Sequence, residues 1–412
     1  MKNLWFVLAA GIAAGVSSLA MGQAGVDLSS ASGSYADELL ADAASRSSLL
    51  DDVGGAGYKG KFFITDGGPN TFEFGSLWQF RYQLNRRDNV TPSDDETTMG
   101  FHLRKIELNF TGTYFDPRFG YKIQPEVKTD GSMSLADAYG TVKLENGVTL
   151  QYGQFKLPFL HEELVSSSAG LTMERSVFNQ VFTLERSQGL QIEFSEDVYR
   201  FMVALSDGRK ALNTPFDSAS EADFALTARG EYRWGKADFK RLGDFVSWRG
   251  SEYGGAAGLA AHYESGGSTN ATVDRTITSI TADAQAEGDG WGAYAAFVWR
   301  STDPDGGTST DDMGVLLQGN IFVTDQVEAF ARYDIIIPDD MGGVDNFSTL
   351  TGGVNYYISP SSQAAKLTVD LIYFLDKQAN TGGVVGTSSN QALLADSEGG
   401  QFALRGQIQF KY

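Results

Sequence analysis

A two-residue alternation of apolar and polar side chains returns in segment after segment from Thr71 to the C-terminus, and it constrains this chain more than any other feature. In the first segment Phe72, Phe74, Trp78, Phe80 and Tyr82 share one face, with Glu73, Gln79 and Arg81 on the other. A period of two belongs to a β-strand lying between two different environments. Phe119, Tyr121, Ile123 and Val127 oppose Lys122, Gln124, Glu126 and Lys128 in the same way. At the far end Phe402, Leu404, Ile408 and Phe410 oppose Arg405, Gln407, Gln409 and Lys411. Sixteen strands are predicted, near 71–84, 99–113, 119–128, 134–144, 149–156, 188–196, 199–207, 223–234, 254–264, 276–287, 291–301, 312–322, 327–336, 347–358, 365–375 and 400–412. Within 99–113 the phase changes near Arg104-Lys105, which predicts a bulge or an extension of the strand beyond the membrane.

The connections alternate in length. Short turns fall at Asp116-Pro117, Glu145-Asn146-Gly147, Glu196-Asp197, Gly288-Asp289-Gly290, Thr324-Asp325-Gln326 and Ser359-Pro360. Between them lie longer loops at 85–98, 208–222, 302–311, 337–346 and 376–399, while 235–253 is long on the short-turn side. An even number of strands joined in this way is the plan of a bacterial outer-membrane barrel, with both barrel ends on the periplasmic side. Closure of the sheet pairs every backbone group, as lipid requires. A soluble sandwich would instead need bulky cores, whereas many apolar-face positions here are Ala or Gly. No internal run approaches the roughly 20 apolar residues of a membrane helix. The net charge of −20, without a basic stripe, argues against nucleic acid, and the absence of cysteine excludes disulfides and thiolate metal sites.

The ends have their own character. Lys2, the apolar run Leu4–Val16 and Ala20-Met21-Gly22 predict a signal peptide over residues 1–22. Residues 23–57 are rich in Ser, Ala and Asp; Leu39, Leu40, Ala43, Ala44, Leu49 and Leu50 suit one short amphipathic helix, and Val53–Gly57 a flexible link. The barrel is expected over 58–412.

If the apolar faces meet lipid, the polar faces line a water channel. Its expected basic positions include Arg81, Lys122, Lys128, Arg200, Arg229, Arg233, Arg300, Arg332 and Arg405. Glu73, Glu126, Asp137, Glu193, Glu231, Asp283, Glu328, Asp334 and Asp370 nearly balance them. Each arginine is therefore either the cross-strand partner of an acid or part of a track for anions. Asp94-Asp95, Asp311-Asp312 and Asp339-Asp340 fall in outer loops as solvated acids or weak cation ligands. The three histidines lack paired-ligand spacing and no Gly-x-Ser-x-Gly occurs, so no catalysis, metal or cofactor is expected.

One stretch interrupts the alternation: residues 154–187, long and charged. Gly153-Gln154-Phe155-Lys156, Pro158-Phe159, Glu162-Glu163-Leu164, Ser166-Ser167 and Met173-Glu174-Arg175, with Asp137-Ala138-Tyr139 on the preceding strand, resemble the phosphate-selective porin O and P family. The resemblance implies an outer-membrane porin, usually trimeric, whose third loop enters the pore. It places Lys156, Glu162, Glu163, Glu174 and Arg175 on or beside that loop, with Arg186 at its exit. A phosphate site needs several basic groups with few competing acids. The mixed charge of this stretch argues for a pore-narrowing loop rather than a dedicated phosphate filter. The expected function is passive diffusion of small hydrophilic solutes or inorganic ions, anions and phosphate among them, with outer-membrane lipid and further copies of the chain as partners. The alternative is an envelope-anchoring or adhesive barrel working through its Asp-rich loops or residues 23–57.

Overall fold

The computed structural model describes residues 54–88, 96–218, 221–267, 274–339, 344–396 and 398–412. The expected signal peptide, the short helix before residue 54, Asp94, Asp95 and Asp340 lie outside the described residues.

A short hairpin, β1 (Gly55–Tyr58) and β2 (Phe62–Thr65), precedes the long strands. They are β3 (Thr71–Arg86), β4 (Thr97–Tyr114), β5 (Asp116–Lys128), β6 (Met133–Lys143), β7 (Val148–Lys156), β8 (Arg186–Ser195), β9 (Tyr199–Ser206) and β10 (Phe224–Gly235). Then come β11 (Gly254–Ser265), β12 (Arg275–Gly288), β13 (Trp291–Pro304), β14 (Thr310–Phe322), β15 (Val327–Ile337), β16 (Phe347–Tyr357), β17 (Ala365–Phe374) and β18 (Phe402–Lys411). Each of the strands β3–β18 pairs antiparallel with the next, and β18 returns to β3 with Phe410 opposite Trp78 and Phe402 opposite Arg86. The result is a closed antiparallel barrel of 16 strands, one for each predicted segment.

Local chemistry accounts for the details. Asn146 and Gly147 have φ of 58° and 74°, the two positive values that a tight hairpin turn of the right twist requires. In β4, Lys105 lies opposite Gln79 and Leu103 opposite Phe80, leaving Arg104 as the extra residue of a bulge. Gly55–Gly57, expected to belong to a flexible link, form with Tyr58 a strand paired with Phe62–Thr65, and Phe62 continues onto Phe74 of β3. The apolar alternation of Phe62 and Ile64 extends the sheet there.

Burial is inverted relative to a soluble protein. Phe80, Phe101, Leu190, Ile192, Leu259, Leu317 and Val369 are exposed on the outer face, while Gln79, Arg81, Glu231 and Asp370 are buried inside. That distribution matches lipid outside and a polar lumen. Trp291, Tyr333, Tyr356 and Tyr373 are among the aromatic side chains exposed on the outer face. Between β7 and β8 the chain leaves the wall and forms two short helices, α1 (His161–Leu164) and α2 (Val177–Phe182). Ser176 caps α2 by accepting from the Asn179 amide at 2.9 Å. A Cβ on Gly314 of β14 would lie 2.4 Å from Phe182 and 2.8 Å from Phe178, so α2 packs against bare strand backbone there.

Candidate permeation pathway

Apolar side chains set the course of loop 157–185. Leu157, Phe159, Leu160, Val165, Leu171, Val177, Phe178, Phe182 and Leu184 are all buried. A loop taken out of water must find donors for its backbone carbonyls. Strands β10–β18 supply them. Arg229 donates to the Phe159 carbonyl at 2.8 Å, Arg300 to Val181 at 2.8 Å and Arg332 to Glu174 at 3.0 Å. Asn355 donates to Leu171 and Lys366 to Gly170, both at 2.9 Å. Acids hold the wall arginines in turn: Arg229 meets Asp283 at 2.8 Å, Arg300 meets Asp312 at 2.6 Å and, beside them, Arg405 meets Asp370 at 2.7 Å.

The loop's own acids are used the same way. Glu162 accepts from the Ser176 amide at 2.8 Å and from its hydroxyl at 2.5 Å, with Arg332 at 3.5 Å. Burial raises its carboxyl above the usual range, against the pull of Arg332. Burial also acts on Glu163, but Arg175 and Lys156 outweigh it and hold that carboxyl at about 2. Glu174 receives Arg81 at 2.8 Å and Arg104 at 2.5 Å, tying the loop to β3 and β4. The loop therefore spans the barrel from one wall to the other. The expected outer loop 376–399 also reaches it: Gln391 donates to the carbonyls of Arg175 and Ser176, both at 3.0 Å.

A lumen of about 670 Å³ runs along β3–β9 and the end of β18. Lys61, Lys105, Lys122, Lys156, Arg175, Arg186, Arg200 and Lys411 line it, against only Glu107, Asp137 and Glu193. Acids are shared or recessed. Asp137 serves both Lys122 and Arg186 at 2.5 Å, and Glu163 serves Arg175 at 3.3 Å and Lys156 at 3.7 Å. The side chains of Lys122, Arg175 and Arg200 keep 26%, 27% and 22% exposure, whereas Asp137 and Glu163 keep 6% and Glu231, behind Arg200, 3%. At Lys122, Arg175 and Arg200 the cation thus faces the water and its carboxylate stands behind it. Ser166, Ser167 and Ser168 line the loop side of the same space. Ser167 donates to Glu107 at 2.7 Å, and Ser168 accepts from Lys411 at 3.0 Å.

The expected wall residues separate accordingly. Lys122 and Arg200 line the lumen. Arg81, Arg229, Arg332 and Arg405 point inward but are buried and spent on acids and carbonyls. Arg300 holds α2, with its guanidinium also 5.1 Å from the centre of the Phe182 ring. Arg233 closes onto Asp197 and the Ala237 carbonyl at the short-turn end, and Lys128 is exposed at the end of β5. Of the loop set, Lys156, Arg175 and Arg186 line the lumen, while Glu162, Glu163 and Glu174 do not. Among the lining cations neither Lys61, next to the expected link, nor Lys105, beside the phase change read as a bulge or an extension, was expected to face the lumen. Asp311 and Asp312, expected in an outer loop, lie instead at the start of β14, where Asp339 accepts from the Asp311 amide at 2.9 Å and Asp312 is buried against Arg300.

Comparison with known proteins gives a family and a fold. The profile of the family described as phosphate-selective porin O and P matches residues 78–302. No curated protein sequence matches. Among solved structures, the anion-selective porin from Comamonas acidovorans superposes with TM-score 0.56 at 11% identity, covering 83% of this chain and 100% of that one. The outer-membrane channel DcaP of Acinetobacter baumannii gives 0.56 at 14% identity, with 86% and 100% covered. OmpT of Vibrio cholerae in its trimer form gives 0.56 at 12% identity, with 84% and 100% covered.

Proposed function

The chain belongs to the phosphate-selective porin O and P family, an outer-membrane channel by that membership, and from this premise we propose that it passes small anions, inorganic phosphate among them, in preference to cations. The observation that carries the proposal is the sorting of charge in the lumen: eight basic side chains line it against three carboxylates. A charged wall beside low-dielectric protein raises the local concentration of the opposite ion. The serine hydroxyls of 166–168 and the guanidinium groups of Arg175 and Arg186 are the donor types that oxyanions take. The anion-selective character of the Comamonas acidovorans porin, which shares the fold, supports the same reading. Passage is passive and involves no reaction. Residues 1–22 direct export, so the purified protein begins after Gly22, which N-terminal sequencing checks.

The test is a planar-bilayer recording under a potassium chloride gradient. The expected reversal potential has the sign of chloride permeation, and added phosphate lowers the chloride current. A reversal potential of cation sign overturns the proposal. We further propose a homotrimer, as in the trimer form of the Vibrio cholerae protein; the same recordings then show insertion in units of three equal steps, and single steps would count against it.

A further inference from the structure

Residues 236–253 join β10 to β11 on the side of the short turns, yet they turn inward. Ala237, Leu242, Phe245 and Val246 are buried. The Phe245 ring lies 5.7 Å from that of His161 and 5.0 Å from that of Tyr294. Trp248 packs on Phe322 at 5.3 Å and on Tyr357 at 4.7 Å. Polar ties fix the segment further: Gln285 donates to the Asp244 carbonyl at 2.7 Å, Arg241 meets Glu287 at 2.6 Å, and the Ser247 hydroxyl donates to Gly288. The Phe245 amide donates to the Ala169 carbonyl at 3.4 Å, so this segment touches loop 157–185. Gly243 lines the same lumen as Lys61, Gly75 and Tyr412. An exposed turn gains nothing from such a run of apolar groups, whereas a segment wedged against the inner wall does.

We propose that residues 236–253 form a second constriction, built from the short-turn side, that fixes the size of solute the lumen admits and confines passage to the basic half. The proposal rests on the channel function and not on anion preference. Loop 157–185 reaches Tyr294 through His161, whose ring centre lies 5.6 Å away, while Trp248 of the turn packs on Phe322 and Tyr357. The inserted turn packs on all three rings, and the lumen lined by the basic side chains lies along β3–β9.

Two variants of the full chain test this. In one, residues 236–253 are replaced by a two-residue Asn-Gly turn. Single-channel conductance is expected to rise severalfold, and neutral polyethylene glycols too large for the wild type should enter. In the other, Gly243→Cys introduces the only thiol, since the chain has no cysteine. A bulky methanethiosulfonate reagent added from the short-turn side should then lower conductance severalfold. A folded replacement variant with unchanged conductance and polymer limit overturns the proposal. So does full labelling at position 243 without loss of current, and this arm decides alone if the replacement variant does not fold. The reversal potential of the wild type tests anion preference separately, so the two proposals fail by different readouts.

Discussion

Two parts of one barrel wall use the same residue types for opposite purposes. On β10–β17, Arg229 and Arg332 are buried and spend their donors on Asp283, Glu162 and the carbonyls of loop 157–185. On β5 and β8–β9, Lys122, Arg186 and Arg200 keep part of their surface in the lumen, with their acids shared or set behind. Both sets point inward at alternate strand positions. What stands opposite decides the difference: a loop with unpaired carbonyls, or water. In the dry half a charge is tolerated only when paired and hydrogen-bonded, and its effect is to hold the loop. In the wet half the charge remains available to a solute.

The comparison breaks most visibly at Arg332. Arg332→Ala removes the donor to Thr172 at 2.7 Å and to the Glu174 carbonyl at 3.0 Å, and leaves Glu162 without its cation. Removing one partner of a buried pair costs about 3–5 kcal/mol. A lowered urea midpoint in lipid vesicles, with higher and noisier conductance as loop 157–185 loosens, is the expected result. A loss below about 1 kcal/mol would mean that this half is as wet as the other.

A pH effect of smaller size sharpens the dry half. Asp244 lies in the inserted turn, where burial pushes its carboxyl up to about 6, opposed by the Val246 amide, Gln363, Lys366 and Lys411. Arg241 and Glu287, an ion pair beside it, complete the charged surroundings. The folded protein therefore binds this proton more tightly than the unfolded chain. Stability contributed here is present below about pH 4 and lost as pH rises to about 6, amounting to about 3 kcal/mol. The difference in unfolding midpoint between wild type and Asp244→Asn should change across that window and be flat above it. A constant difference from pH 4 to pH 8 would show that Asp244 titrates as in water.

The strands were legible because period two and turn chemistry are local: sixteen segments, the Asn146-Gly147 turn and the Arg104 bulge all follow from neighbours in sequence. The wetness of an inward side chain is not local. Alternation separates lipid from lumen but cannot divide the lumen, because Arg332 and Lys122 occupy equivalent positions in their strands. The division depends on where Leu157, Phe159, Phe178 and Phe182 dock. For the same reason the acids of 154–187 seemed to argue against an anion filter. Folding buries Glu162 and Glu163 and leaves Lys156, Arg175 and Arg186 on the lumen. The length of 235–253 on the short-turn side was visible; its inward path was not.

The smallest effect on stability, and the cleanest on permeation, belongs to Lys122. Asp137 keeps Arg186 at 2.5 Å when Lys122 is gone, so Lys122→Gln strands no buried charge. A partly exposed pair of this kind contributes at most about 1 kcal/mol, and the unfolding midpoint should barely move. The lumen, however, loses one of its water-facing cations, and the reversal potential under a salt gradient should shift toward zero. Arg332→Ala and Lys122→Gln thus form a crossed pair: the first changes stability far more than ion preference per remaining channel, the second the reverse. If Lys122→Gln left the reversal potential unchanged while destabilising the barrel as Arg332→Ala does, the two halves of the wall would be one environment, and charge facing the lumen would not explain anion preference.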